Sequence, residues 1–118
     1  AISKKIYQTF FPVYKNDFVT LGTGVSNTFK FRGQNFIFLD GRSFRDSEDK
    51  KDGHHFGIKQ SKWLYKNLKA SENLNWLIGG DQFFGGYHPY ESFEGLHPVE
   101  FGKFTKQLKT LNKKYVFV

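Results

Sequence analysis

The sequence predicts an α/β fold in which a β-hairpin leads into a βαβαβ unit with mostly parallel strands. Three observations carry this expectation. Short apolar runs at Phe36–Leu39, Asn75–Ile78 and Tyr115–Val118 have the length and composition of buried strands. Two longer stretches, Lys59–Ala70 and the segment behind Pro98, repeat apolar residues at helical spacing. Runs and stretches alternate, which implies right-handed crossovers above a mainly parallel sheet. Residues 1–118 read as one domain or part of one, with a lead-in and hairpin in 1–40 and the βαβαβ half in 36–118.

The lead-in, Ile6 to Tyr14, is aromatic-rich and broken by Pro12, so it reads as extended or irregular. Thr28-Phe29-Lys30-Phe31 alternates polar and apolar, the period of a half-buried strand. Arg32-Gly33-Gln34-Asn35 is a turn, because Gly and Asn tolerate positive φ. The run Phe36-Ile37-Phe38-Leu39 that follows suits a strand buried on both faces. Asp40 to Gly57 is polar and glycine-containing, hence a loop. In Lys59–Ala70 the residues Trp63, Leu64 and Leu68 share a side. A long loop, Gly79 to Leu96, follows the second buried strand. Pro98 suits a first helical turn, and Phe101, Phe104, Leu108 and Leu111 step by three, four and three behind it. The expected core joins Phe38, Trp63, Leu64, Leu77, Phe104, Leu108 and Val116.

Composition narrows the function classes. With 15 Phe, 6 Tyr and 2 Trp among 118 residues the chain has ample material for a core. It contains no Cys, which excludes disulfides and any cysteine-based zinc or nucleophile site. No apolar run is long enough for a membrane span, and Ala1-Ile2-Ser3-Lys4-Lys5 is not a signal peptide. The missing Met fits a processed or excised piece, and an apolar strand at the very end fits truncation at a functional point. Net charge is +7, which attracts anions of every kind. Nucleic acid is nevertheless not the expected partner. Lys59, Lys62, Lys66 and Lys69, and later Lys106, Lys109 and Lys113, fall at helical steps and read as solvated faces.

Five segments together resemble one known family. Leu39-Asp40-Gly41-Arg42-Ser43-Phe44-Arg45 is similar to the Leu-Asp-x-Arg-x-aromatic-Arg signature of the PhoD-like, or alkaline phosphatase D, metallophosphatases. Gly57, Gln60 and Trp63-Leu64 match that family's pattern at a helix start. Trp76-Leu77-Ile78 with Gln82-Phe83 resembles the next strand and its loop, and Glu91-Ser92-Phe93 a segment before the last helix. Tyr115–Val118 looks like the strand that runs into Ser-Gly-Asp-x-His. The resemblance extends from about Phe10 to Val118. It implies a partial metallophosphoesterase-type sandwich belonging to the calcineurin-like superfamily, and specifically the C-terminal part of its catalytic domain. It also implies a phosphate ester substrate, divalent or trivalent metal ions (Ca, Fe, Mn or Zn), and a remaining half of the domain as partner. A periplasmic or secreted location is compatible with it. The family's upstream Asp-rich motifs and its final His segment are absent from these residues, so the chain alone is expected to be inactive.

The candidate site residues follow from position. Asp40 and Asp81 fall at the carboxyl ends of expected parallel strands, where open α/β sheets place ligands, and are candidates for metal or supporting contacts. For Asp40 the competing reading is a loop anchor that accepts backbone N–H bonds or pairs with Arg42. Arg42 and Arg45 lie just past a strand end, where a guanidinium fork can hold phosphate; alternatively they pair with Asp40, Asp46 or Glu48. His88 is the substrate-contact candidate among the histidines. His97 reads as a lead into the last helix, and the adjacent His54 and His55 as surface residues. The loop from Phe83 to Tyr90 either shapes a pocket or packs on the core. A basic, non-catalytic α/β module binding nucleic acid or another anion is the alternative function.

Overall fold

The computed structural model describes residues 2–72 and 74–118; Ala1 and Asn73 lie outside the described residues. The elements run α1 (Ile2–Phe10), β1 (Val19–Leu21), β2 (Asn27–Phe31), β3 (Gln34–Phe38), α2 (Ile58–Lys69), β4 (Asn75–Ile78), α3 (Phe93–Leu96), α4 (Pro98–Leu111) and β5 (Tyr115–Phe117). They build one five-stranded mixed sheet in the order β1-β2-β3-β4-β5. The first three strands are antiparallel, while β3, β4 and β5 are parallel, with Ile37 beside Leu77 and Leu77 beside Phe117. The α/β class and the hairpin followed by βαβαβ are therefore as the sequence predicts.

The hairpin turn is tighter than expected. Only Arg32 and Gly33 connect β2 to β3, with φ of 46° and 72°, and both angles are positive, as a two-residue turn matched to strand twist requires. The lead-in differs outright. Ile2–Phe10 is helical, not extended, and Pro12 acts only after the helix has ended. The edge strand β1 was not foreseen either. Its three residues are too few to show a period, and it is recruited by backbone pairing to β2.

Because β3, β4 and β5 are adjacent in chain order, α2 and α4 both cover the same sheet face. Under them lies the core: Ile37 and Leu77 from the sheet, Leu64 and Leu68 from α2, Phe104 and Leu108 from α4, joined by Phe56, Phe83 and Phe93 from loops and α3. Trp63 packs against this core only partly buried. Two expected core residues are on the other face. Phe38 is 40 % exposed, and Val116 sits beside Trp76 and is half-buried. The expectation that Phe36–Leu39 is buried on both faces thus fails. Side chains alternate along a strand, and only one face has helices over it. The bare face carries an aromatic row in which Phe31 (53 % exposed) stacks on Phe29, Phe29 contacts Phe36, and Phe36 stacks on Trp76 at 5.7 Å.

The outer faces of the two helices carry lysines and almost no acid. Lys59, Lys62, Lys66 and Lys69 on α2 and Lys103, Lys106 and Lys109 on α4 are all exposed. Glu100 is the one carboxylate on either helix, and it is turned inward. Like charges three or four residues apart cost a helix roughly 0.2–0.5 kcal/mol per pair. No helix among the described residues is long and apolar enough to cross a membrane.

Candidate functional site

The site is built by the loop between β3 and α2, the loop after β4 and the first turn of α4. Gln60 clamps the first loop. Its side chain, fully buried, accepts from the Asp40 backbone N–H (2.7 Å) and donates to the carbonyls of Asp40 (2.8 Å) and Phe56 (3.0 Å). One residue type with a donor and an acceptor on the same planar amide can close both sides of a loop. Gly57, just before the helix, has φ 75° and ψ 154°, and a Cβ there would lie 2.7 Å from the Phe44 side chain. The spacing of Gly57, Gln60 and Trp63-Leu64 is thus the spacing of one structural device, a helix start pinned to a strand end.

Asp40 is a loop anchor. One carboxylate oxygen accepts from the backbone N–H of Arg42 (3.1 Å) and Ser43 (2.9 Å). The other accepts from the Ser43 hydroxyl (2.6 Å) and the Val25 N–H (3.0 Å). Burial pushes its pKa up, but the Ser43 hydroxyl and these backbone donors outweigh burial and hold it below the usual carboxylate range.

Asp81, just past β4, takes the arginines. Arg45 forms its close ion pair with Asp81, and Arg42 approaches the same carboxylate at 3.8 Å. Of the two readings of these arginines from sequence, phosphate contact or pairing with Asp40, Asp46 or Glu48, the second names the wrong carboxylates. The true partner is 36 residues from Arg45 along the chain, and proximity in sequence gives no hint of it. The two guanidinium groups differ in exposure. The Arg45 side chain is 9 % exposed, while that of Arg42 is 81 % exposed at the mouth of the site.

Behind Asp81 lies a buried histidine pair. His55 is 1 % exposed, correcting its reading as a surface residue; His54 beside it is half-exposed. His55 Nε2 is 3.3 Å from Asp81 Oδ2, and its Nδ1 is 3.2 Å from Nδ1 of His97, which is also fully buried. Assigning the proton on Nε2 lets His55 donate to Asp81 and accept from His97. The ring stacks on Phe93 with centroids 4.5 Å apart. Burial lowers the pKa of His55 despite the Asp81 hydrogen bond that raises it. Burial and the neighbouring His55 lower that of His97. For Asp81 burial acts upward, but the His55 hydrogen bond and the Arg45 charge bring its pKa below the ordinary value. Glu100, from the first turn of α4, closes the network. It accepts from the His55 backbone N–H and lies 3.2 Å from His54 Nδ1.

No family model, curated protein sequence or solved structure matches this chain.

Asp40, Arg42 and Asp81, with Gly41, Ser43 and Gly80, line an open groove of about 370 Å³ at the carboxyl edge of the sheet, and Lys4 and Tyr7 of α1 form its other wall. The structure therefore brings together four of the five residues singled out from sequence, Arg45 standing behind Asp81. His88 stays apart. It is exposed, in ring contact with Tyr87, and its carbonyl belongs to the turn held by Ser92. His97, which reads from sequence as a helix lead-in, joins the network together with His55. It also stands at the junction of α3 and α4, where its side chain makes no cap bond. The aromatic loop divides: Phe83 is in the core, whereas Tyr87 and Tyr90 are exposed.

The donor set does not suit a metal ion. Among the described residues no three His, Asp or Glu side chains converge as a metal centre requires. The oxygens of Asp40 are taken by N–H and O–H donors, and Asp81 faces two guanidinium groups. A cation added there would meet positive charge first.

Proposed function

We propose that the chain is the C-terminal part of a PhoD-like metallophosphatase domain, which hydrolyses phosphomonoesters or phosphodiesters by a two-metal mechanism. One observation carries this reading. Asp40, Arg42 and Asp81 meet at a single groove where the adjacent parallel strands β3 and β4 end, the edge at which such sheets hold ligands. In such an enzyme the ions (Ca, Fe, Mn or Zn) would supply the nucleophile and neutralise phosphoryl oxygens. Their ligands would come from the remaining half of the domain, since the carboxylates here are already engaged. The chain's own contribution is different. Arg42, 81 % exposed and only loosely paired with Asp81 at 3.8 Å, offers a fork able to hold two phosphate oxygens. Asp81, pinned by Arg45 and His55, sets the position from which Arg42 reaches. The bare aromatic face of the sheet supports the same reading, because the second sheet of a sandwich would cover such a face.

The test is hydrolysis of p-nitrophenyl phosphate and of its bis ester by the full reading frame and by this chain, each with added Ca²⁺, Mn²⁺, Fe³⁺ or Zn²⁺. Turnover is expected from the full frame alone, with Arg42→Ala raising KM. Failure of the full frame with every metal overturns the reading. The second reading, a non-catalytic anion-binding module, is favoured by the absence of a converged ligand set among the described residues. It predicts that phosphate binds to the groove without turnover in either form.

A further inference from the structure

The lysine-covered helix layer is the strongest charged feature outside the groove. Lysines recur on α2 at 59, 62, 66 and 69 and on α4 at 103, 106 and 109, and both helices lie on the same side of the sheet. Ordinary exposed helices relieve such repeats with carboxylates one turn away. Here α2 has no acid, and the single acid of α4, Glu100, is bonded to His54 and the His55 backbone. Among the described residues no ion pair joins these lysines to a carboxylate, so their mutual repulsion stands.

We propose that this layer is a docking surface for an anionic phospholipid bilayer. Charge complementarity calls for a polyanion, and two observations choose among polyanions. The chain is a slab, 39 × 38 × 20 Å, so its helix layer offers one broad face to a planar surface. The outward cations are all lysine: Arg32, Arg42 and Arg45 lie in turns and loops away from the two helices. Lysine serves as a point charge that needs no fixed geometry, whereas reading bases or gripping a duplex draws on arginine forks and stacked aromatics. The aromatic row of Phe29, Phe31, Phe36 and Trp76 lies on the opposite, bare face of the sheet, and on the helix side Phe84 borders the layer at its edge, beside Lys109. Docking through α2 and α4 leaves both that face and the groove free, so the inference does not depend on the phosphatase reading.

The experiment is vesicle co-sedimentation of the full polypeptide. One set of vesicles contains about two-fifths phosphatidylglycerol in phosphatidylcholine, and the other is pure phosphatidylcholine. Binding is expected to the anionic vesicles only, and to disappear at about 0.3 M salt. Lys62→Glu/Lys66→Glu/Lys106→Glu is expected to weaken it about a hundredfold. A charge-matched variant off the layer, Lys15→Glu/Lys30→Glu/Lys50→Glu, should change it only a few-fold, and circular dichroism of both variants checks the fold. Equal loss in the two variants would reduce the effect to net charge and overturn the proposal. So would salt-insensitive binding to both vesicle types, which would indicate the aromatic face. Tighter binding to duplex DNA than to anionic vesicles at the same salt would overturn the choice of bilayer.

Discussion

Replacing Asp81 by Ala isolates the energetics of the site. The substitution removes the carboxylate that neutralises Arg45, whose side chain is 9 % exposed, and the acceptor for His55, which is 1 % exposed. Breaking a buried pair by deleting one partner leaves an uncompensated charge and costs about 3–5 kcal/mol. Asp81 is slightly open to solvent at 13 %, so about 3 kcal/mol is the expected loss. Arg45→Met should cost less, because Asp81 then keeps the His55 hydrogen bond and the nearby Arg42. Arg45→Met/Asp81→Leu should recover part of the Asp81→Ala loss, since no charge is stranded. Urea unfolding followed by the fluorescence of Trp63 and Trp76 measures all three. An Asp81→Ala loss below about 0.5 kcal/mol, the range of ordinary surface substitutions, would refute the claim that this pair is desolvated.

Three other outcomes are expected. Stability should fall with acid in two stages. His55 and His97 titrate below their ordinary 6.5 in the folded chain, so the unfolded chain takes up protons first and the urea midpoint drops as pH falls below about 6.5; Asp40 and Asp81, lowered from 3.8, add a further drop as pH falls through and below that value. A midpoint that does not move between pH 8 and pH 5, roughly the span in which free imidazole titrates, would contradict the buried-neutral pair. Leu77→Ala should cost about 2–5 kcal/mol as a fully buried core truncation, whereas Phe31→Ala on the bare face should cost under about 1 kcal/mol and raise solubility; equal costs would mean that the face is covered. Gly57→Ala should destabilise by at least about 1–3 kcal/mol, because φ 75° with ψ 154° is open essentially to glycine alone, and unchanged thermal unfolding would show that the loop simply relaxes.

Most of the frame was legible in the sequence, and the reason is period. Asn75–Ile78 is the observed β4 residue for residue, and α4 begins at Pro98 as its position implies, because apolar spacing and a proline at the first turn are local signals. What local signals cannot carry is which sheet face is covered. Phe38 and Ile37 look alike in sequence, yet one is 40 % exposed and the other fully buried. That difference depends on both crossover helices lying on the same side. α1 was lost for a different reason: Pro12 and the aromatic composition of the lead-in suggested irregular chain, but the apolar residues Ile2, Ile6 and Phe10 step by four. At the candidate site, the position of Asp40 and Asp81 after strands put both at the carboxyl edge of the sheet, where the structure has them. His55 and His97 were not foreseen there, since a His-His dipeptide and a His-Pro dipeptide carry no sign that they will meet. Glu100, in the first turn of α4 with Lys103 one turn further on, gave no local sign either that it would bond His54 and the His55 backbone across the fold.

The same comparison explains why the two arginines have different uses. Arg45 and Arg42 are three residues apart in one loop, so the backbone that Asp40 and Gln60 hold rigid presents them to different environments. Arg45 turns inward, where His55 Nε2 lies 3.2 Å away and Asp81 neutralises it; it cannot leave without stranding that carboxylate beside a buried imidazole. Arg42 is free to move because Asp81 already has its charge partner. At 3.8 Å from Asp81 and with most of its surface in water, Arg42 gives up little by turning to an incoming anion. Deleting Arg42 should therefore weaken anion binding at the groove and leave stability nearly unchanged, while deleting Asp81 should lower stability first. The loop thus separates a cation that holds the architecture from one that is available for binding, and that separation rests on the buried Asp81–His55–His97 chain behind it.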